Sequence, residues 1–389
     1  MRIAVICGFS GYWGAQPCNV LDLEDGGTIG GGEESTLRCA SGLAALGHEV
    51  HLWWYGAAGV WKKVQFNTLA DPLYSRIAGE HWDAVASWSA LRPLHYARPG
   101  TRRVFYNQLN DLATPGDWSK VDVVVSPSMN HAGMVYGWGW RGKRAVVHNG
   151  LDIELYKKRV TGISSNLRDE PARWVDGTPW EQRPFDVGYW SSPDRGLHHL
   201  LRAWPLVKKM EPRAKLHVFY EIKNYLAISL AQYNGIGSAR ANEIRQFMYA
   251  LESDSSVVFH GAVPRKKLAK VQKLCRMQCF PFDPLAFTEG FCGAVNQGIA
   301  AGCLVLTTPK DALPSLYGGS CFWMGKSTTD LDFSDYLARR VVEGLRGELP
   351  KQADILADAM KNAGRYTWDN AAQEAEAVCE GRNWFEGPP

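Results

Sequence analysis

The sequence has no excess of charge of either sign and no long apolar run. Its 389 residues include 43 Lys and Arg against 40 Asp and Glu, which gives a formal net charge of +3. This balance excludes a bulk polycation that coats nucleic acid, so any basic patch must be local. The apolar run Ile3–Cys7 stops at Gly8 and is too short for a secretion signal. No stretch approaches the ~18 apolar residues of a membrane span, and we expect a cytoplasmic protein without a transmembrane segment.

Paired cysteines are also missing. The nine cysteines are an odd number, and none belongs to a CxxC pair. A fully paired disulfide framework is therefore excluded, and a zinc ribbon or a thioredoxin-like redox site has no support in the sequence. We expect free, mostly buried thiols, and we predict neither a metal site nor a required cofactor.

Short apolar runs rich in β-branched residues alternate with amphipathic stretches along the chain. In the first half the predicted strands are 3–6, 50–54, 84–87, 103–106, 121–126 and 145–147, and the clearest helix is 33–46. A polar segment at 162–183 leads to a second series, with strands 186–189, 215–220, 257–260, 278–281 and 304–307. The helices predicted there are 197–210, 239–251, 268–275 and 293–301. This alternation is typical of parallel, doubly wound sheets, and it predicts an α/β protein with two Rossmann-like domains.

Two glycine clusters follow the first predicted strand. Gly8, Gly11 and Gly14 have the GxxGxxG spacing of a dinucleotide-binding loop, but Pro17 interrupts the helix that should follow. No acidic residue ends the second strand either, and both facts argue against nicotinamide chemistry. The second cluster, Gly30–Gly32, directly precedes the predicted helix. Its amides can face an anion in the crevice at the carboxyl ends of the strands.

The most specific motif lies in the second half of the chain. The loop Thr288–Gly293, TEGFCG, is followed by the helical segment 294–302, AVNQGIAAG. Backbone amides that precede a helix suit an anionic diphosphate or polar sugar hydroxyls. The Glu289 carboxylate can accept hydrogen bonds from hydroxyl groups, and Gln297 lies one to two turns into the helix that follows.

This motif resembles the donor site of the retaining glycosyltransferases of family 4. Three other segments match that family's pattern and extend the resemblance over nearly the whole chain: the glycine-rich helix start Gly31–Glu34, the interdomain signature Asn149–Asp152 and the segment Ser191–Leu197. In the last of these, Arg195 takes the place of a basic residue on the donor phosphates. A guanidinium there can form a bidentate, charge-assisted clamp.

The resemblance implies the GT-B fold, in which two Rossmann-like, doubly wound domains face each other across a cleft. Residues 1–160 would form the acceptor-side domain and 161–365 the donor-binding domain, and a C-terminal helix at about 366–389 would pack back on the first. The implied reaction transfers a hexose or pentose from a UDP- or GDP-linked sugar, with retention at the anomeric carbon. It requires no cofactor, because the main demand is to stabilise charge on the departing diphosphate.

The resemblance also implies roles for individual residues. Arg195 would stabilise the leaving group, Glu289 would position the donor sugar, and Gln297 would contact the ribose. Asp111 would contact the acceptor or accept its proton. The predicted donor-binding residues are Gly31, Gly32, Ser192, Arg195, Val263, Glu289, Gly290, Phe291, Cys292, Gly293 and Gln297. The predicted acceptor-side residues, all expected in loops, are Trp13, Asn110, Asp111, His131 and Trp138.

The sequence departs from the family pattern at three places. Gln297 replaces the second glutamate of the motif, Gly188-Tyr189 replaces a Gly-Arg pair, and Asn110-Asp111 replaces His-Asp. Two alternatives therefore stay open: a sugar-nucleotide 2-epimerase on the same fold, and a catalytically weak module that binds nucleotide sugars. The acceptor is open among a glycan, a lipid, a small metabolite and a modified nucleic-acid base, and nothing specifically indicates a nucleic-acid partner.

Overall fold

The computed structural model describes residues 1–7, 31–54, 56–68, 72–109, 112, 114, 116–157, 179–232, 235–284 and 289–387. The chain forms two compact units. The first contains Met1–Leu151, Phe287–Gly293 and Tyr366–Pro389, and the second contains Asp152–Ala286 and Ala294–Arg365. Most of the predicted linker at 162–183 lies outside the described residues.

The first unit is built on an eight-stranded sheet with the strand order β3-β4-β2-β1-β5-β6-β7-β8. Its strands are β1 (Arg2–Cys7), β2 (Glu49–Trp54), β3 (Gly59–Trp61), β4 (Val64–Thr68), β5 (Ala84–Trp88), β6 (Arg102–Tyr106), β7 (Val123–Ser126) and β8 (Lys143–Val146). All neighbouring strands are parallel except β3, which runs antiparallel to β4. Every residue of β5 is buried, as expected for a parallel strand covered on both faces.

Helices cover both faces of this sheet. They are α1 (Gly31–Ala45), α2 (Leu73–Gly79), α3 (Met129–Gly137) and, near the end of the chain, Trp368–Cys379. On one face Leu37 and Leu43 of α1 pack with Ala375 and Val378 of the last helix in a single apolar cluster. A side chain at Gly42 would overlap Ala372, so glycine permits the close approach of these two helices.

The second unit contains a six-stranded parallel sheet with the order β11-β10-β9-β12-β13-β14. The strands are β9 (Asp186–Tyr189), β10 (Lys215–Phe219), β11 (Val257–Gly261), β12 (Met277–Phe280), β13 (Leu304–Thr307) and β14 (Phe322–Trp323). The helices are α4 (Glu154–Lys157), α5 (Leu197–Met210), α6 (Ile222–Gln232), α7 (Ile236–Leu251), α8 (Arg265–Leu274), α9 (Gly293–Ala300), α10 (Leu313–Tyr317), α11 (Phe333–Arg346) and α12 (Gln352–Asn362). The helix Trp368–Cys379 of the first unit is then α13.

The predicted strands match observed ones to within a few residues, whereas several elements were not predicted. Those elements include β3, β4, β14, α2, α3 and α6. Each cysteine within the described ranges is buried. Among the described residues, the helices are too short or too polar to cross a membrane.

Candidate functional site

The predicted phosphate-binding residue Arg195 lies in a tight turn at the carboxyl end of β9. Pro193–Arg195 form one turn of 3-10 helix, and α5 begins after Gly196. Gly196 has a φ of 111°, and any side chain there would overlap the carbonyl oxygen of Pro281, so both conformation and space require glycine. The Arg195 side chain is 23% exposed, and its Nε lies 3.4 Å from Asp194 Oδ2.

The same turn is hydrogen-bonded by Tyr189, which stands where the resemblance to family 4 would place an arginine. The Tyr189 ring is fully buried, and its hydroxyl donates to the carbonyl oxygen of Ser192 over 2.7 Å. The Ser192 hydroxyl in turn donates to Asp194 Oδ1. Position 189 therefore supplies a hydrogen bond to the turn instead of a cation.

His198, His199 and Asp283 come together beside this turn, and their ligand atoms lie close enough to surround a cation. However, Asp283 already pairs with Arg240 Nη2 at 3.0 Å and with Lys310 Nζ at 2.8 Å. Burial lowers the pKa of His198 to about 2, and the charges of His199 and Arg240 act in the same direction. Two cations already balance the carboxylate, so the cluster fits an ion-pair network and we assign no metal to it.

Gln297, the predicted ribose contact, lies on α9 at the end of a chain of hydrogen bonds. Gln272 Nε2 donates to Gln297 Oε1 over 3.0 Å, and the Tyr156 hydroxyl donates to Gln272 Oε1 over 2.8 Å. Gln272 is fully buried, whereas Gln297 is half-buried. Because its oxygen is engaged inside the protein, Gln297 would present its amino group to a ligand.

Val263, the predicted base contact, is half-buried in the loop after β11. Gly261 starts this loop with a φ of 68°. Arg265 follows at the first position of α8, and burial lowers its pKa to about 10. The next two residues of this basic run, Lys266 and Lys267, are exposed.

The Glu289–Gly293 loop, which carries the predicted donor motif, belongs to the first unit. Gly290 lies against the His131 ring and Pro127. Phe291 is buried and packs edge-to-face on Tyr366, with ring centroids 5.3 Å apart. Cys292 is also buried, and Gly293 begins α9. Side-chain packing therefore fixes the backbone of this loop.

The sequence places His131 in a loop, and this expectation is wrong. The residue lies in the first turn of α3, where the Ser128 hydroxyl caps the helix by accepting from the His131 amide. Its Nε2 lies 2.8 Å from the Leu109 carbonyl oxygen and its Nδ1 lies 3.1 Å from Ser126 Oγ. Burial lowers the pKa of this imidazole, against the opposing effect of the Leu109 bond. Both ring nitrogens are thus engaged within the protein, as in a structural histidine.

Trp138 lies just after α3 as its C-cap residue, in the turn that leads to β8. It is half-buried against the apolar core and packs edge-to-face on His131, with centroids 5.6 Å apart. The other predicted acceptor-side residues, Trp13, Asn110 and Asp111, lie outside the described residues.

Gly31 and Gly32 are the first residues of α1. A side chain at Gly31 would meet open space, so no close contact requires glycine at this position. Its predicted role in donor binding therefore rests on its backbone amide. Glu33 and Glu34 occupy the first turn, where they complement the helix dipole and compete with an external anion.

Three polar side chains that were not among the predicted site residues meet at the carboxyl edge of the first sheet. Gln108 Nε2 donates to Ser35 Oγ over 2.8 Å and to Asn149 Oδ1 over 2.9 Å, and Ser35 Oγ donates to Asn149 Oδ1 over 2.8 Å. Gln108 and Asn149 each follow a strand by two or three residues, which is the signal that could have identified them. Carboxyl ends of parallel strands are where open α/β sheets bind ligands.

No protein-family model matches the sequence, and no curated protein matches it. Solved structures, in contrast, match over nearly its whole length. A sucrose-phosphate synthase from Thermosynechococcus elongatus is 12% identical, with 98% of this chain and 99% of that chain covered and a TM-score of 0.65. Anabaena HepE in complex with UDP and glucose is 17% identical, with 98% and 100% covered and a TM-score of 0.62. The chain has the GT-B fold.

A glycosyltransferase from Rickettsia africae has the same relationship, with 12% identity, 98% of each chain covered and a TM-score of 0.64. The GT-B fold confirms the predicted fold class, because it consists of two Rossmann-like units with parallel sheets. At such low identities the GT-B match establishes architecture, and function has to be argued from the site.

Proposed function

We propose that this protein is a glycosyltransferase that transfers a sugar from a nucleotide-diphosphate-sugar to an acceptor. The observation that carries the proposal is the Arg195 turn, which presents a guanidinium at the carboxyl end of β9 in a GT-B fold. Charge stabilisation of the leaving diphosphate is the main demand of this chemistry, and a guanidinium on a rigid turn can meet it.

Residues 161–365 are proposed to form the donor domain, and residues 1–160 are proposed to hold the acceptor. HepE was solved with UDP and glucose, so a UDP-sugar is the first donor to test, followed by a GDP-sugar. We further propose retention at the anomeric carbon, as in family 4. In this scheme Glu289 positions the donor sugar, and Asp111 contacts the acceptor or receives its proton.

Gln297 is proposed to bind the ribose through its amino group. A ribose hydroxyl can accept a hydrogen bond as well as donate one, so an amide can replace the carboxylate of the family motif. The acceptor is a glycan, a lipid, a small metabolite or a modified nucleic-acid base. The Gln108–Asn149 pair, which is polar and uncharged, favours an uncharged polar group on that acceptor.

The proposal is tested by incubating the protein with radiolabelled UDP-glucose, UDP-N-acetylglucosamine and GDP-mannose, each with and without acceptor pools. We expect labelled product that depends on an added acceptor, and NMR of the new linkage should show the anomeric configuration of the donor. Turnover to a free sugar nucleotide without acceptor would instead identify a 2-epimerase. Nucleotide binding without any turnover would identify a binding module, the alternative that the uncharged Gln297 favours.

A further inference from the structure

The turn that carries Arg195 is bound by a second arginine, Arg240, which comes from α7. Arg240 Nη1 donates to the carbonyl oxygen of Asp194 over 2.8 Å and to that of Asp283 over 2.6 Å. Its Nη2 donates to Asp283 Oδ2 over 3.0 Å, and only 9% of the side chain is exposed. One buried guanidinium therefore joins the loop after β9 to the loop after β12.

Two further contacts join the same pair of loops. The backbone amide of Asp283 donates to the carbonyl oxygen of Arg195 over 3.4 Å, and Gly196 lies directly against the carbonyl of Pro281. The strands β9 and β12 are neighbours in the sheet, so their carboxyl ends are already adjacent. Arg240 thus adds a side-chain link to the backbone contacts between the loops after β9 and β12.

Three further side chains hold the Asp283 carboxylate. Lys310 Nζ and the Thr328 hydroxyl both donate to its Oδ1 over 2.8 Å, and His199 Nε2 lies 2.9 Å from its Oδ2. Burial alone would raise the pKa of the Asp283 carboxyl, but these hydrogen bonds hold that pKa well below its usual range. The carboxylate therefore stays ionised and keeps the Arg240 guanidinium in one orientation.

We propose that Arg240 is a positioning residue, which fixes the turn Ser192–Gly196 so that the Arg195 guanidinium is preorganised for the donor diphosphate. The inference rests on the proposed function. Tyr189 stands where the family pattern has a second cation, so Arg195 is left as the one phosphate-binding guanidinium of that pattern. Binding by a single guanidinium depends more strongly on its orientation, and Arg240 would fix that orientation. Arg240 itself is committed to carbonyl and carboxylate oxygens, so it acts through Arg195.

The experiment is a double-mutant cycle read by calorimetric titration with UDP and with GDP. The proteins are wild type, Arg240→Lys, Arg195→Met and the double variant. Lysine keeps the positive charge beside Asp283, but as a point charge it does not reproduce the planar fork that bridges two carbonyls. We expect Arg240→Lys to weaken nucleotide binding about tenfold in the wild-type background and to have no further effect when Arg195 is already absent.

Arg202→Met is the matched control, because Arg202 also pairs α5 with α7, through Glu243, but contacts neither loop. It should leave nucleotide affinity unchanged. Thermal unfolding checks that each variant folds. If Arg240→Lys does not fold, Thr328→Val takes its place, since it removes one hydrogen bond to Asp283 and should give a smaller loss that again depends on Arg195.

The outcomes separate the two proposals. Equal losses in both backgrounds, or no loss from Arg240→Lys, would overturn the positioning role while leaving the donor site intact. If wild type binds neither UDP nor GDP, the proposed function fails and the positioning role fails with it. A loss confined to the background that retains Arg195 supports both.

Discussion

Gly290 lies so close to His131 that a methyl group on its Cα would approach the imidazole Cδ2 to 2.8 Å and Pro127 Cγ to 3.0 Å. The ring cannot retreat easily, because both of its nitrogens are hydrogen-bonded. This contact joins the loop of the proposed donor motif to the first turn of α3. Because Gly290 has no side chain, the loop can pass this close to the His131 ring.

Gly290→Ala should therefore disturb the loop and lower the free energy of unfolding by about 1–3 kcal/mol, the usual cost of overpacking. Turnover should fall as well, because the backbone amides of the loop would move. Gly137→Ala is the control, since position 137 lies on the same helix as His131 and faces open space. Urea titrations and initial rates measure both effects. A Gly290→Ala protein as stable and active as wild type would contradict the contact.

Arg195→Ala and Glu289→Ala should each reduce kcat/KM by about 10²-fold or more while the fold survives, because each removes a protein side chain that is proposed to contact the reacting donor. Arg202→Ala and Glu181→Ala remove the same charges at other sites and should retain near wild-type rates. Steady-state kinetics measures the effect, with the donor that the incubation with radiolabelled nucleotide sugars identifies. Wild-type rates in both site variants would refute the placement of the donor.

Gln272→Leu should destabilise the protein by about 1–3 kcal/mol, because it leaves the buried Tyr156 hydroxyl without its acceptor. Adding Tyr156→Phe removes that orphaned hydroxyl, so the double variant should recover part of the loss. Chemical denaturation of the two single variants and the double variant gives the coupling. Purely additive losses would show that the Tyr156 hydroxyl and Gln272 are not coupled.

Acid should destabilise the protein through His198. Its pKa is lowered to about 2 in the folded state, chiefly by burial, whereas an unfolded histidine titrates near 6.5. Below pH ~6.5 the unfolded chain therefore binds a proton that the folded protein does not. The contribution of His198 to the free energy of unfolding is fully present above pH ~6.5 and falls toward lower pH, by at most about 1.4 kcal/mol per pH unit. His198→Gln should flatten the stability profile between pH ~6.5 and ~5. An unchanged slope in urea titrations across that range would count against this assignment.

The parallel strands could be predicted because buried strands are short, continuous apolar runs. The hairpin of β3 and β4 could not be predicted, because its turn uses Lys62 and Lys63, both with positive φ. The usual signal for such a turn is Asn-Gly or Asp-Gly. The polar residues Gln65 and Asn67 also interrupt the apolar pattern of β4, so the sequence does not mark it as a strand.

The sequence can nominate site residues where a motif lies on consecutive positions, as at Glu289–Gly293 and around Arg195, and these residues stay predictions. Arg240 and Gln272 carried no such signal. They act through backbone carbonyls and amide groups of residues far away in the chain, and those partners are known only once the chain has folded. The helical position of His131 was missed because the segment after its cap, Ser128, has no clear apolar period.

The packing of α13 on α1 has a consequence for biosynthesis. The ribosome releases Met1–Leu151 long before it makes Tyr366–Pro389, yet both stretches belong to the first unit. Until the last helix emerges, the apolar face of α1 lacks its partner, and the second unit can complete its own sheet earlier. The N-terminal half of this chain should therefore be the last to finish folding and the part most in need of chaperones during synthesis.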